Sequence, residues 1–390
     1  MEYLHEIYMK KALELAINGW GTTNPNPLVG AVIVKDGWII GEGFHERPGE
    51  DHAEAAALKN ATQDVRGATL YVNLEPCSHF GHTPPCANAI IQSGISNVVI
   101  GMKDPNPLVA GKGIKMLEQA GIQTTVGVLE NESKRLNEIF IKYITHKRPF
   151  VTLKTAMSMD GKICTSTGQS KWITSEESRR YVHHLRNRAA AIMVGTNTLM
   201  RDNPSLTTRL EGKSRNAVRI ILDRTGRVPL DSNVFNKDSD TDIIVATSEY
   251  VDADRVRGLE CLGTKVLKVP ENNDVLSLSC LMDKLCELEI DSILLEGGGE
   301  IGFSALKEGI VDKVMIFIAP LIIGGREALT PIEGEGFSSI EQSVKLKNIS
   351  TRTIGNDILV EGYTHELFEI RKGEACVHRN CGGNGCCKGC

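Results

Sequence analysis

The 390 residues carry a formal charge of −5, with 41% hydrophobic, 24% charged and 5% aromatic residues. A chain of this length suits two cores rather than one, and its makeup is that of an ordinary globular protein. No long run of Lys or Arg is present, so the basic footprint needed to grip a nucleic-acid backbone is missing, while a local basic pocket for a small phosphate ester is not excluded.

The first twenty residues mix charge with apolar positions and predict an amphipathic helix, not a signal peptide. No apolar run is long enough to span a bilayer. A cytoplasmic protein with reduced thiols is therefore expected. Residues 26–45 predict a β-hairpin around Asp36-Gly37. A helix capped by Asp51 follows, then a strand ending near Pro76. A further helix starts near Pro85, where proline is tolerated in a first turn. Strand, helix and strand again fill 97–130. The pattern restarts near 146–150, and a second series of strands and helices runs to about residue 363. Alternation of this kind predicts α/β layers, in two domains without an internal repeat: 1–146 and 150–365, with a Cys/Gly-rich tail at 366–390.

The stretch "LEPCSHFGHTPPC" raises the choice between a disulfide and a metal site for Cys77 and Cys86. Reduced thiols favour the metal. "DHAEAAAL" places His52 and Glu54 two residues apart in the first turn of a predicted helix. One His and two Cys leave a tetrahedral position open, as catalytic zinc requires. The order H-x-E, then P-C and a second Cys, resembles the zinc deaminases, whose Glu moves protons without binding metal. The second spacing here is C-x8-C, a departure from their C-x-x-C.

Those motifs, together with "NPNPLVGAVIV", "LKTAMSMDGK", "SKWIT", "DNPSLTTR" and "LLEGGG" in the same order, resemble the bifunctional riboflavin-biosynthesis deaminase/reductases over about residues 1–365. The resemblance implies an N-terminal cytidine deaminase-like domain fused to a C-terminal dihydrofolate reductase-like domain. It implies Zn²⁺ held by His52, Cys77 and Cys86, with Glu54 as proton carrier. It also implies substrate contacts at Asn26, through its amide, and at His45, toward the phosphate. Family members usually carry Lys or Arg where this chain has His82.

In the second half, "LLEGGGEIG" contains G-x-G-x-x-G. It comes too late in its domain, and without the later acid, for a classical dinucleotide-binding fold. The resemblance implies NADPH instead, contacted by Ala156, Trp172, Thr198, Asp202, Arg224, Gly298, Gly299 and Gly302. Arg224 is the expected reader of the 2′-phosphate. Substrate contacts are implied at Lys154, Ser170, Arg186, Leu206, Arg209 and Glu296, with Lys154 and Asp202 assisting reduction. Ala190 stands where the family commonly has an acid and is read as a packing change.

The expected substrate is a small phosphorylated pyrimidine, with neither nucleic acid nor membrane as partner, and a homo-oligomer is expected. The tail carries Cys376, His378, Cys381, Cys386, Cys387 and Cys390 among glycines. Its spacing fits no zinc-ribbon template, and so short and Gly-rich a segment is expected to be disordered without metal.

Overall fold

Asp36 and Gly37 both adopt left-handed backbone, φ 51° and 81°, the geometry of a tight two-residue hairpin turn. They join β1 (Gly30–Lys35) to β2 (Trp38–Phe44), after the N-terminal helix α1 (Glu2–Ala16). The computed structural model describes residues 2–78, 85–106, 109–212, 214–236 and 241–366. His82 and the tail cysteines lie outside the described residues.

The first half continues through α2 (Ala53–Lys59), β3 (Thr69–Leu74), α3 (Cys86–Ser93), β4 (Asn97–Met102), α4 (Lys112–Gln119) and β5 (Gln123–Val126). Helices α5 (Glu130–Leu136) and α6 (Glu138–His146) close it. Its five strands order as β2-β1-β3-β4-β5. The first three neighbours pair antiparallel and β3-β4-β5 parallel. One core beneath this sheet gathers Ile33, Leu70, Val72, Ile90 and Ile100, all fully buried. Each such side chain contributes roughly 1.5–3 kcal/mol relative to exposure. On the other face, Met9 and Ala12 of α1 pack against Val32 and Val99. Helix α2 lies so close to β2 that a Cβ on Gly43 would come 2.4 Å from the Ala57 nitrogen, so only glycine permits this approach.

The second half begins after three residues, 147–149, with β6 (Phe150–Ser158), α7 (Glu176–Arg188), β7 (Ala191–Gly195) and α8 (Thr196–Asp202). Then come β8 (Val218–Leu222), β9 (Ile243–Ser248), α9 (Ala253–Cys261) and β10 (Lys265–Val269). A small ribbon of β11 (Glu271–Asn272) and β12 (Val275–Leu276) leads to α10 (Leu278–Glu287), β13 (Ser292–Leu295) and α11 (Gly299–Lys307). Strands β14 (Lys313–Ala319), β15 (Lys347–Ile354) and β16 (Asp357–Tyr363) end the described chain. Nine strands form one sheet in the order β10-β9-β8-β7-β13-β6-β14-β16-β15. It is parallel from β10 to β14 and antiparallel beyond. The central strands read as continuous apolar runs because both faces are covered: β7 is buried at every residue.

Three local expectations change. Asp51 does not cap α2; the N-cap position is His52, extended at φ −69° and ψ 159° and without a side-chain cap bond. Asp51 instead offers its carbonyl to His45 and its carboxylate to Lys59 at 3.7 Å. Pro85 occupies the N-cap of α3 rather than its first turn. Helices α5, α6, α8 and α9, the β11-β12 ribbon and strand β15 add to the elements expected from sequence.

Candidate active sites

Placing His52 at the N-cap frees its imidazole from the helix and aims it across the ends of β3 and α3. Cys77 follows β3 by three residues, and Cys86 opens α3. The loop between them is closed by Ala87 N–H donating to the Cys77 carbonyl at 3.2 Å, and Cys86 N–H donates to Cys77 Sγ at 3.2 Å. His52 Nδ1 lies 3.2 Å from Cys86 Sγ and 3.6 Å from Cys77 Sγ. The three ligand atoms fall within 4.8 Å of one another. A tetrahedral zinc, with Zn–S near 2.3 Å and Zn–N near 2.1 Å, keeps S and N roughly 3.5 Å apart. Donor set and spacing therefore fit that ion. All six cysteines among the described residues are free, so the disulfide alternative for Cys77 and Cys86 is not realised.

Cys77 is drawn down to about 4, first by the Cys86 thiol donating to it and then by His52. Cys86 is pushed up, chiefly by that same bond. His52 is raised, mainly through its bond with Cys77. Glu54, only 4% exposed, is raised to about 7, first by burial and then by the Cys77 charge. A carboxyl poised near neutrality beside a soft-ligand cluster can both accept and return a proton.

Asn26 and His45 adjoin this cluster. The His45 and His52 rings meet edge to face, with centroids 5.5 Å apart. His45 Nδ1 lies 3.1 Å from the Asp51 carbonyl, which can only accept, so Nδ1 carries the hydrogen. Nε2 then accepts from Asn26 Nδ2 at 3.1 Å. Burial lowers the His45 pKa, and both ring nitrogens are engaged within the protein. This favours an orienting role toward Asn26 over a cationic grip on phosphate.

Sequence reasoning passed over the residues that hold this edge. Asn73, fully buried in β3, accepts from Gly30 N–H at 2.8 Å and donates to the Leu28 carbonyl at 2.9 Å. Glu75 accepts from the N–H groups of Asp104, Gly111, Gly113 and Ile114 at 2.9–3.3 Å. A polar residue inside the apolar run "LYVNLEP" was the available signal for both.

The second cluster lies at the C-terminal edge of the parallel strands, where α/β sheets bind ligands. Glu296 follows β13 and meets Arg186 of α7 in a two-pronged pair, 2.8 Å at each contact. Burial alone would raise Glu296, but Arg186 and Lys154 carry it down to about 2. Lys154 on β6 has its pKa lowered by burial, with Glu296 opposing and Arg186 adding; its Nζ stands 5.7 Å over the Phe317 ring. Arg186 also donates to the Thr207 carbonyl at 3.2 Å. His183, unnoticed in the sequence, accepts from Arg209 N–H at 3.2 Å. Burial and the flanking Arg186 and Arg209 hold it down to about 4. Leu206 in the same loop is buried with φ 53°, a conformation few bulky residues adopt and one frequent at ligand sites.

The expected cofactor residues are spread over several elements. Ala156 shares β6 with Lys154, and Thr198 and Asp202 lie on α8. Ser170 and Trp172 belong to the segment before α7; Trp172 is 67% exposed, with the Arg179 guanidinium stacked 4.6 Å from its ring centre. A Cβ on Gly298 would meet nothing within 4 Å, so the turn into α11 presents open backbone. Gly299 and Gly302 are constrained from behind, where a Cβ would lie 2.5 Å from Glu333 and 3.0 Å from Ile332. An open Gly turn at a helix N-terminus fits a dinucleotide phosphate. Arg224 is not idle: it pairs with Asp274 at 2.7 Å and Glu271 at 3.4 Å, so a phosphate would have to displace those acids. No helix among the described residues is long and apolar enough to cross a membrane.

Comparison with known proteins agrees with both halves. Residues 2–102 match the cytidine and deoxycytidylate deaminase zinc-binding region, and residues 149–360 match the RibD C-terminal domain. Riboflavin biosynthesis protein RibD of Actinobacillus pleuropneumoniae is 48% identical, covering 91% of this chain and 94% of its own length. The Aquifex aeolicus protein of the same name is 47% identical, covering 90% and 96%. Among solved structures, a deaminase/reductase of Thermotoga maritima superposes with a TM-score of 0.81 at 42% identity, covering 93% of this chain and 99% of that one. The two folds are thus a cytidine deaminase-like, zinc-binding domain and a dihydrofolate reductase-like domain of the NADPH-binding type. The chain belongs to the RibD family, the bifunctional deaminase/reductases of riboflavin biosynthesis.

Proposed function

We propose that the chain deaminates 2,5-diamino-6-ribosylamino-4(3H)-pyrimidinone 5′-phosphate and then reduces the ribosyl group to ribityl with NADPH, giving 5-amino-6-(5-phospho-ribitylamino)uracil. The carrying observation is the convergence of His52, Cys77 and Cys86 within 4.8 Å beside buried Glu54. The division of labour follows the sequence boundaries, with 1–146 for deamination and 150–365 for reduction.

His52, Cys77 and Cys86 would hold zinc, which when bound would supply a hydroxide nucleophile from water at neutral pH. Glu54 takes the proton released in forming it and passes it to a ring nitrogen. The proton of the newly added hydroxyl then passes through Glu54 to the departing amine, which leaves as ammonia as the ring carbonyl forms. Asn26 binds the pyrimidine edge through its amide, with His45 fixing its orientation.

In the second domain NADPH supplies the hydride. Lys154, its ammonium close to Glu296, assists opening of the ribosylamino ring to the reducible form at C1′. Asp202 stands on the cofactor side to aid proton transfer. Arg186 and Arg209 take the sugar phosphate, and Glu296 fixes the orientation of the Arg186 guanidinium. Ser170 and Leu206 line the substrate, while Ala156, Trp172, Thr198, Arg224 and the turn from Gly298 to Gly302 receive the dinucleotide.

Mass spectrometry on the purified chain tests both steps. A gain of about one mass unit without cofactor, as NH₂ becomes OH, and about two more with NADPH is expected. Absence of the first change with zinc present would overturn the deaminase assignment, and absence of the second the reductase one.

A further inference from the structure

The two domains meet on a polar seam that neither proposed site uses, and the seam lies two residues from one of them. Asn24, in the loop between α1 and β1, donates its amide to both carboxylate oxygens of Asp291, at 2.9 and 2.7 Å. Its own Oδ1 accepts from Arg215 Nη2 at 3.2 Å. Asp291 is 1% exposed, and Ser292 Oγ donates to it at 2.6 Å. Arg215 is in turn fixed on the end of α7: its Nη2 donates to the Ala189 carbonyl at 3.0 Å and its N–H to Asn187 Oδ1 at 2.9 Å. Gly21 seats against the same turn so tightly that a Cβ there would lie 2.2 Å from the Asn187 carbonyl.

The far end of the loop is pinned from the deaminase side. Leu28 N–H donates to Asn137 Oδ1 at 2.8 Å, and its carbonyl accepts from Asn73 at 2.9 Å and Asn137 at 3.0 Å. Midway between these two anchors sits Asn26, whose amide reaches His45. One anchor is internal to the first domain and the other belongs to the second. With Asp291 buried and each of these groups paired, such a polar joint is stiff, because an unpaired alternative would be costly.

We infer that Asn24 is a positioning residue for deamination: Asp291 and Arg215 of the reductase domain hold it, and through it set the Asn26 amide in the deaminase site. The second domain thereby completes the first domain's substrate contacts. This rests on the reading of Asn26 as a pyrimidine contact.

The test is a charge exchange across the seam. Asn24→Asp sets two carboxylates face to face and is expected to raise the KM for deamination about tenfold, with kcat changed less than about twofold and reductase constants unchanged. Adding Asp291→Asn restores a donor opposite an acceptor, with Arg215 still donating, and is expected to return the KM to near its original value. A folded Asn24→Asp protein with unaltered deaminase KM would overturn the inference. So would a parallel loss of both activities that the double exchange does not rescue, since that marks a merely structural seam. If Asn24→Asp does not yield folded protein, Asn24→Ser carries the same comparison without the like-charge pair. Asn26→Ala separates the two readings: no rise in deaminase KM there refutes the substrate contact, whereas a rise there with none at Asn24 refutes the positioning role alone.

Discussion

Arg186 and Glu296 face one another through two parallel hydrogen bonds of 2.8 Å, with side chains only 13% and 12% exposed. A buried, two-pronged pair of this kind fixes a plane as well as a charge. The Glu296 carboxyl is held at about 2, below its ordinary 4.5. A depressed acid contributes stability that is complete above its unfolded pKa and is lost as pH falls through the folded one. The reductase half is therefore expected to lose stability between pH 4.5 and about 2. His183, held down to about 4 from 6.5, acts in the same direction, since the unfolded chain takes up its proton first. Urea titrations at descending pH should show Glu296→Gln with a flatter acid limb than the parent; an identical limb would refute the assignment.

Replacing Lys154 with Met keeps its length and removes its charge from beside Glu296. Reduction of the deaminated intermediate is expected to slow by about 10²-fold or more in kcat, in the range of a lost acid/base group. Ammonia release should be untouched. Stopped-flow loss of NADPH absorbance, run beside an ammonia assay, separates the two.

Glu54→Gln leaves the three metal-binding atoms in place and removes the proton carrier. Zinc content and NADPH binding are expected to persist while ammonia release falls by about 10²- to 10⁴-fold. Ammonia release at the parent rate would remove Glu54 from the mechanism.

Cys86 is both a candidate zinc ligand and the first residue of α3. Cys86→Ser, or chelation of the parent protein, should abolish deamination and leave NADPH-dependent reduction of pre-deaminated substrate intact. Zinc returned to the chelated parent should restore the first activity, and Cys86→Ser should not recover. Loss of both activities on chelation would contradict a metal role confined to the first domain.

Glu138 of α6 accepts from Tyr363 Oη at 2.7 Å and pairs with Arg188 at 3.4 Å and Lys313 at 3.5 Å. Burial opposes its charge, but these cations keep its pKa below the usual value. Glu138→Gln takes the carboxylate from Arg188 and leaves Lys313 with Glu361 alone, at 3.1 Å, and a loss of about 3 kcal/mol is expected. Denaturant midpoints measure it; a change under 1 kcal/mol would mean that the cations relax to water.

How legible these features were in the sequence depended on how local their causes are. The hairpin turn at Asp36-Gly37, the helix after His52 and the buried runs of β3, β4, β7 and β13 each declare themselves within a few residues. Strand β15 does not, because all but its last residue are exposed and it has no apolar alternation to show; pairing with β16 makes it a strand. Helix α8 is about two turns of mixed residues after a buried strand, too short for a period. The metal ligands were readable because His52-x-Glu54 and Pro76-Cys77 are compact signals. Asp291 was not: its partner Asn24 lies 267 positions away, and although Asn24 opens the "NPNPLVGAVIV" stretch, nothing around Asp291 marks the pairing. The role of His82 belongs to residues outside those described.

Only residues 147–149 separate α6 from β6, a span of about 10 Å at full stretch. Around that short connection Lys142 reaches Asp312 at 2.8 Å, Glu138 reaches Lys313 and Tyr363, and Asn24 reaches Asp291. Two domains so joined have no hinge to melt about. Heating should therefore release one calorimetric peak in which both halves lose their order together, and a substitution in the first domain should lower the temperature at which the second stops binding its dinucleotide.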